Sequence, residues 1–370
     1  MNILHAATDL PRSGQPACLA IGVFDGVHLG HQQVIRQMVT DARQHDARSI
    51  VITFDRHPNA VVAPDRVPSL VYSLPQKLRA IEPLNAEFTL LIHFDGPFSQ
   101  QSGDEFIRGL ARGFGRIQSI CVGSAFTFGH KRSGNVASLK KLGQELGFMV
   151  HGLAAVSLDG EVVSSTRIRE AIRAGQLDSA SQMLGRAYSI SGMVIRGDGL
   201  GRQLGFPTAN IDTAGLVLPP SGVYAVHVRI RGAASSRAQR GGRGQTRGES
   251  NRNDPPLPSS LIHPMEEREK SRGSMQHRET SPAGASPSSV YRGALNIGFR
   301  PTLASHTLQP RVEAHLFDFA GDLYGQELEI TLVEKIRDEQ KFASLDALKQ
   351  QIARDIAGMQ KKLSAGGAGR

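Results

Sequence analysis

Two cysteines in a chain of 370 residues, Cys18 and Cys121, are too few for a disulfide framework or a structural zinc site, and both are expected as buried thiols. Long hydrophobic runs are missing too: none approaches the roughly 20 residues needed to cross a bilayer. The opening stretch MNILHAATDLPRSG lacks the basic-then-apolar layout of a signal peptide. A cytoplasmic protein without membrane attachment is therefore expected. What is present excludes wholesale disorder, since 39% of residues are hydrophobic and 40 Gly with 19 Pro supply turns between elements. The length suits two domains. A net charge of +9 favours acidic partners, namely nucleic acids, membrane surfaces or phosphorylated small molecules, and charge alone does not choose among them.

The stretch from Ala233 to Val290 has no aromatic residue and is dense in Ser, Gly, Pro and Arg, with eight Arg and one Lys against six acidic residues. Such a composition cannot bury enough apolar surface to offset the entropy of ordering, which predicts a disordered insert. The flanking runs GVYAVHVRI and VYRGALNIG alternate as strands do and are expected to pair across it, so the insert is a loop within a domain. RNA contact by RGGRGQTRG is the sharper alternative, but a few arginines in a loop are more often simply solvated, and that reading is preferred.

Before residue 185, apolar strands alternate with amphipathic helices: CLAIGVF, HQQVIRQMVTDARQHD, SIVITFD, PQKLRAIEPL, FTLLIHF, GDEFIRGLARGF and SICVG. This predicts a parallel sheet covered by helices, an α/β domain over residues 1–185. Afterwards short alternating strands separated by Gly and Pro predict a small antiparallel β-barrel over 186–360, interrupted by the insert and closed by the helix LDALKQQIARDIAGMQKKL.

The run Ile21-Gly22-Val23-Phe24-Asp25-Gly26-Val27-His28-Leu29-Gly30-His31 leaves a buried strand, turns on glycines and enters a helix. Glycines there let the backbone approach a ligand, and a helix N-terminus offers free N–H groups to phosphate. His28 and His31, three residues apart, share a face and suit a triphosphate. Each alone reads as a cap or a packed side chain, and a zinc site is a weaker alternative with no third ligand at suitable spacing. Later, Ser165 or Thr166 would cap a helix ending at Gly175, placing hydroxyls, N–H groups and the Arg167 guanidinium around one point.

The GVFDGVHLGH and SSTRIR runs, together with TFDRHP at Thr53–Pro58 and the stretch Phe126-Thr127-Phe128-Gly129, resemble the adenylyltransferase half of the bacterial bifunctional riboflavin kinase/FMN adenylyltransferase family, also called FAD synthetases. The resemblance implies a Rossmann-like nucleotidyltransferase domain in which Gly22, Phe24, His28, His31, Ser164, Ser165, Thr166 and Arg167 bind ATP. It implies that the FMN phosphate attacks the α-phosphorus, releasing pyrophosphate and forming FAD. One position departs from the family pattern. Asp or Asn usually precedes the Phe where this chain has Ala125, and Ala offers no hydrogen bond.

The run from Gly197 to Asn210, GDGLGRQLGFPTAN, is glycine-rich yet matches neither the Walker nor the Rossmann pattern. It reads equally as a turn between barrel strands or as a loop admitting ATP phosphates, with Thr208 and Asn210 alternating as oxygen ligands. In order, this run, YRGALNIGFRPT from Tyr291, VEAHLFDF, LYG and RDEQKF from Arg337 resemble the riboflavin kinase domain of the same family. The resemblance implies that Gly197, Gly199, Gly201, Thr208 and Asn210 bind ATP, that Thr208 and Asn210 hold Mg2+, and that Arg300, Arg337 and Phe342 contact the flavin. Glu313 is implied as the base for the riboflavin 5′-hydroxyl; by pattern alone, beside His315 on the same face, it reads sooner as a surface-strand charge.

The expected partners are thus small molecules: ATP, riboflavin, FMN and FAD, with Mg2+. One alternative keeps the kinase and loses the adenylyltransferase, because of Ala125. Another, a nucleic-acid-binding protein, explains the charge but none of the motif runs.

Overall fold

The alternating runs fold largely as the pattern predicts. The computed structural model describes residues 1–11, 13–197, 199–232, 289–302 and 305–365, without the side chains of Leu200, residues 299–309 and Ala365. The predicted insert therefore lies, apart from its last two residues, outside the described residues, as does the Arg300 side chain.

Six strands, β1 (Asn2–Leu4), β2 (Ala17–Ile21), β3 (Arg48–Phe54), β4 (Phe88–Ile92), β5 (Ile117–Gly123) and β6 (Met149–Leu153), form one sheet in the order β1-β4-β3-β2-β5-β6, with every neighbouring pair parallel. All five residues of β2 are buried, as a strand covered on both faces requires. Cys18 and Cys121 lie in β2 and β5 as buried free thiols. The covering helices include α1 (Leu29–Gln44), α2 (Leu74–Ile81), α3 (Gly103–Phe114) and α4 (Val136–Leu146). In α3 the sequence sets the start: Ser102 and Glu105 form a reciprocal capping box, and Phe106, Ile107, Leu110 and Phe114 bury one face. Composition patterning did not reveal β1 or β6, both at sheet edges and lacking a clean apolar alternation.

From β2 the chain moves to β3 and β4 on one side, then returns to β5 and β6 on the other. Ligands of open parallel sheets bind at the carboxyl ends of the strands where the order reverses, which here means the ends of β2 and β5.

Helices α5 (Ser165–Arg173) and α6 (Leu177–Leu184) lead to a closed antiparallel barrel of β7 (Ser189–Ile195), β8 (Ala209–Ile211), β9 (Gly222–Ile230), β10 (Val290–Thr302), β11 (Ser305–Leu316) and β12 (Glu327–Arg337), in the order β7-β8-β11-β10-β9-β12. The fold class is thus a parallel α/β sheet followed by an antiparallel barrel. The expected pairing across the insert is found: β9 and β10 run antiparallel from Arg229 opposite Val290 to Gly222 opposite Ile297. In β11, Val312, Ala314 and Leu316 point into the barrel while Arg311, Glu313 and His315 face outward. The terminal helix α7 (Leu345–Ala365) packs Met359 and Leu363 against Val223, Ala225 and Phe317 on that outer surface.

One hydrophobic core runs through both parts, joining Val71, Ile168 and Leu184 to Tyr188, Ile190, Tyr224 and Leu295. The α5 cap differs from expectation. Ser164, one residue earlier than predicted, accepts the N–H of Arg167, because its extended backbone points the hydroxyl back over the first turn. The helix stops as read, with Gly175 in the left-handed region.

Candidate active sites

The turn after β2 is strained and held. Phe24, Gly26 and Val27 all have positive φ, at 52°, 77° and 42°, and for the β-branched Val27 this is an outlier that only surrounding contacts can maintain. Those contacts are present. The buried Asp25 carboxylate accepts the N–H groups of Val71 and Tyr72 and pairs with Arg169 of α5 at 2.9 Å. Ser165 Oγ donates to Asp25 O at 3.0 Å. Arg186 donates to the carbonyls of Gly26, Val27 and Leu184 and to the Tyr72 hydroxyl. Gly26 suits its φ of 77°, and a Cβ there would also press on Val71 Cγ1 at 3.0 Å.

His28 caps α1 with Nδ1 accepting the His31 N–H, and the two rings stack with centroids 3.6 Å apart. Phe24 meets the His31 ring edge-on at 5.2 Å. Burial, helped by Arg186 and Arg169, pushes His28 down to about 4. Burial pushes His31 down as well, helped by His28, Lys77 and Arg186, and its Nδ1 is buried without a partner. Both imidazoles are therefore neutral at pH 7, and the cations near them are Lys77, Arg169 and Arg186. Lys77 is itself buried, which lowers it to about 8 against the opposing pull of Asp25 and Asp55; its ammonium donates to Val23 O, Thr53 Oγ1 and Phe54 O.

The fold thus brings the histidine turn and the SSTRIR run together, through Ser165, which the sequence singled out, and Arg169, which it did not. Ser165 reaches the turn and Ser164 caps α5. Thr166 is exposed. The Arg167 guanidinium is taken up by the hairpin of Ser157–Leu158 with Glu161–Val162, through the carbonyls of Leu158 and Glu161 and the Glu161 carboxylate at 2.9 Å. Arg169, two positions later, is the guanidinium that meets Asp25. Helical spacing from the Ser164 cap carried that signal, whereas nothing in PQKLRAIEPL marked Lys77. Ala125 lies exposed in the turn closed by Phe126 N–H to Gly123 O, immediately beyond β5, and Ser124 is exposed beside it. Phe126 and Phe128 follow with stacked rings.

The second candidate is a cavity of about 290 Å³ between the barrel's outer surface and α7. Gly201, Thr208, Glu313, Arg337 and Phe342, all predicted from sequence, line it together with Asn296, Arg311 and Asp355. Glu313 pairs with Arg311 at 2.9 Å and lies opposite Asn210 on β8 and Asn296 on β10. Asn210 Oδ1 accepts from Arg311 Nε at 3.0 Å, linking the carboxylate and the amide through one guanidinium. Thr208 and Asn210 are half-buried while Ala209 and Ile211 between and beyond them are buried, so the two polar side chains share a face. The loop presses on them: a Cβ on Gly201 would stand 2.8 Å from Thr208 Oγ1, and one on Gly197 would collide with the Asn210 amide. Gly199 has a φ of 71°, which favours glycine. Across the cavity Arg337 donates to Asp355 at 2.8 Å and lies over the Phe342 ring.

Residues 10–167 match the family model for FAD synthetase, and residues 184–363 match that for riboflavin kinase. The chain is 33% identical to the bifunctional riboflavin kinase/FMN adenylyltransferase of Escherichia coli K12 over 356 residues, covering 96% of each. It is 32% identical to the enzyme of the same description from Haemophilus influenzae, covering 96% of this chain and 97% of that one. For the Pseudomonas fluorescens enzyme the figures are 33%, 92% and 91%. A solved structure described as a macrolide-efflux protein from Streptococcus pneumoniae aligns with a TM-score of 0.68 at 24% identity, over 97% of this chain and 98% of that one, a likeness of fold alone. Among the described residues no helix is long and apolar enough to cross a membrane. The chain belongs to the bifunctional riboflavin kinase/FMN adenylyltransferase family, with both activities of that family.

Proposed function

We propose that the two activities use separate centres, riboflavin phosphorylation in the barrel cavity of residues 186–360 and FMN adenylylation at the histidine turn of residues 1–185, in the cytoplasm. The observation that carries this reading is the barrel cavity, where Thr208 and Glu313 share one wall while Arg337 and Phe342 line it with them.

In the kinase centre Glu313 accepts the proton of the riboflavin 5′-hydroxyl as the oxygen attacks the γ-phosphorus and ADP leaves. Arg311 orients that carboxylate. Arg337, steered by Asp355, and Phe342 close over the flavin. Gly197, Gly199 and Gly201 bring backbone N–H groups close to the ATP phosphates. The donor set is of the kind magnesium takes: Thr208 Oγ1 and Asn210 Oδ1 are hard neutral oxygens on one face, with the loop glycines packed directly against them. When bound, the ion supplies charge that neutralises the phosphate oxygens.

In the adenylyltransferase centre the neutral His28 and His31 hold the ATP triphosphate by hydrogen bonds, with Gly22, Phe24, Ser164, Ser165, Thr166 and Arg167 around it. An FMN phosphate oxygen attacks the α-phosphorus and pyrophosphate departs. The positive potential comes from Lys77, Arg169 and Arg186 beneath the turn. A second reading, a kinase with weak adenylyl transfer, is favoured by Ala125, which offers no hydrogen bond at the end of β5.

Incubation of the protein with riboflavin and Mg-ATP, followed by chromatographic separation of FMN and FAD, tests both. FMN and FAD together support two working centres. FMN alone supports the second reading, and neither product overturns both.

A further inference from the structure

Helix α2 touches the two halves of the molecule with different side chains. Toward the barrel, Gln76 Nε2 donates to Ser189 O at 2.8 Å and to Ser189 Oγ at 2.9 Å. Arg79 lays its fork on the Glu327 carboxylate through two bonds of 2.8 Å and adds a third, of 2.9 Å, to Ser191 Oγ. Ser191 in turn donates to Glu327 at 2.6 Å, so residues of the adjacent strands β7 and β12 grip one guanidinium. Glu327 is buried, which acts to raise it, but the hydrogen bonds from Arg79 and Ser191 win and hold it below the usual carboxylate range.

Toward the sheet, Lys77 on the same helix donates to Val23 O, Thr53 Oγ1 and Phe54 O at the carboxyl ends of β2 and β3. The residues leading into α2 continue the connection. Leu70 exchanges main-chain bonds with Gly215 and Val217 beside the barrel, and Val71 and Tyr72 donate their N–H groups to Asp25. A segment of ten residues therefore binds the barrel at both ends and the histidine turn in its middle.

We infer that Arg79 is a positioning residue for adenylyl transfer, acting from the barrel surface through α2 on Lys77 and Asp25. A bidentate Arg–carboxylate pair fixes both the place and the direction of a helix, which a single flexible contact does not. The turn it steadies is the strained one carrying His28, where small displacements matter: a shift of about 1 Å can cost on the order of 100-fold in rate. The kinase cavity is lined by none of the residues of α2 or its partners Ser189, Ser191 and Glu327, so riboflavin phosphorylation should not feel the change. The inference rests on the histidine turn being the adenylylation centre.

The test is a double-mutant cycle in the full chain with Arg79→Met, Glu327→Gln and both, measuring FAD formation from FMN and, separately, riboflavin phosphorylation. Each single variant is expected to lose about 10-fold or more in FAD formation, mainly in kcat rather than in KM for ATP, and the double variant no more than the worse single one. Kinase rates should stay within about two-fold, a split that general destabilisation would not give. Should Arg79→Met not fold, Arg79→Lys keeps the charge without the fork and is expected to lose FAD formation selectively. FAD formation unchanged in a folded single variant, parallel loss of both activities, or additive losses in the double variant overturn the inference. Absence of FAD formation in the parent protein overturns the adenylylation reading instead.

Discussion

Asp25 and Arg169 form a buried ion pair, 2.9 Å from carboxylate to guanidinium, that joins the strained turn after β2 to the helix beginning at Ser165. Two motifs far apart in the chain are thereby held at one point. The carboxylate also accepts the N–H groups of Val71 and Tyr72, so both of its buried oxygens are hydrogen-bonded.

Removing one partner should cost far more than the pair contributes, because the other charge stays buried. Asp25→Ala is expected to destabilise the protein by about 3 to 5 kcal/mol and to abolish FAD formation. Urea unfolding measures the first quantity, and a loss below about 1 kcal/mol would show that Arg169 finds another partner.

The depressed His28 makes stability pH-dependent with a definite sign. Its folded value is about 4 against 6.5 unfolded, so between those limits the unfolded chain binds a proton that the folded chain does not. This contribution is fully present above pH 6.5 and is lost as pH falls toward 4, by up to about 3 kcal/mol. Chemical unfolding from pH 7 to 4 should show the decline, and His28→Asn should make it shallower while leaving the part due to His31, which burial also pushes down.

Glu313→Gln keeps the shape of the side chain and removes the proton acceptor. Riboflavin phosphorylation is expected to fall about 100-fold or more, with FAD formation from added FMN unchanged. A kinase rate within a few-fold of the parent would remove Glu313 from the role of base.

Ala125 is exposed on its turn, so a larger side chain has room. Ala125→Asn is expected to raise FAD formation by about 10- to 100-fold, the value of one hydrogen bond to a charged group, without touching the kinase. Equal rates of FAD formation before and after would mean that the missing amide has no part in adenylyl transfer.

Much of this molecule was legible from local patterns. Strand and helix periodicity depends on neighbours a few residues away, so the alternation before residue 185 and the short strands after it yielded the two architectures. The glycine-bounded histidine run and the GFPTAN run were legible for the same reason: each is a continuous segment whose conformation and chemistry lie within a dozen residues. Glu313 and His315 shared a face as their spacing required, because strand side chains alternate.

Closure in three dimensions decided the rest. Which arginine of the SSTRIR run meets the histidine turn depended on the rotation of α5 about its axis once Ser164, not Ser165, capped the helix. Lys77 gave no signal, because an amphipathic helix with a lysine looks the same whether that lysine meets water or the ends of two strands. The pairing of Asn210 with Glu313 was set by the register of β8 on β11, and the grip of Glu327 on Arg79 by how the barrel seats against α2. The sequence by itself determined the elements and the chemical inventory, since these rest on short-range propensity and residue type. Only the tertiary structure decided which charges are buried together, because that depends on strand order, barrel closure and the exclusion of water between surfaces remote in the chain.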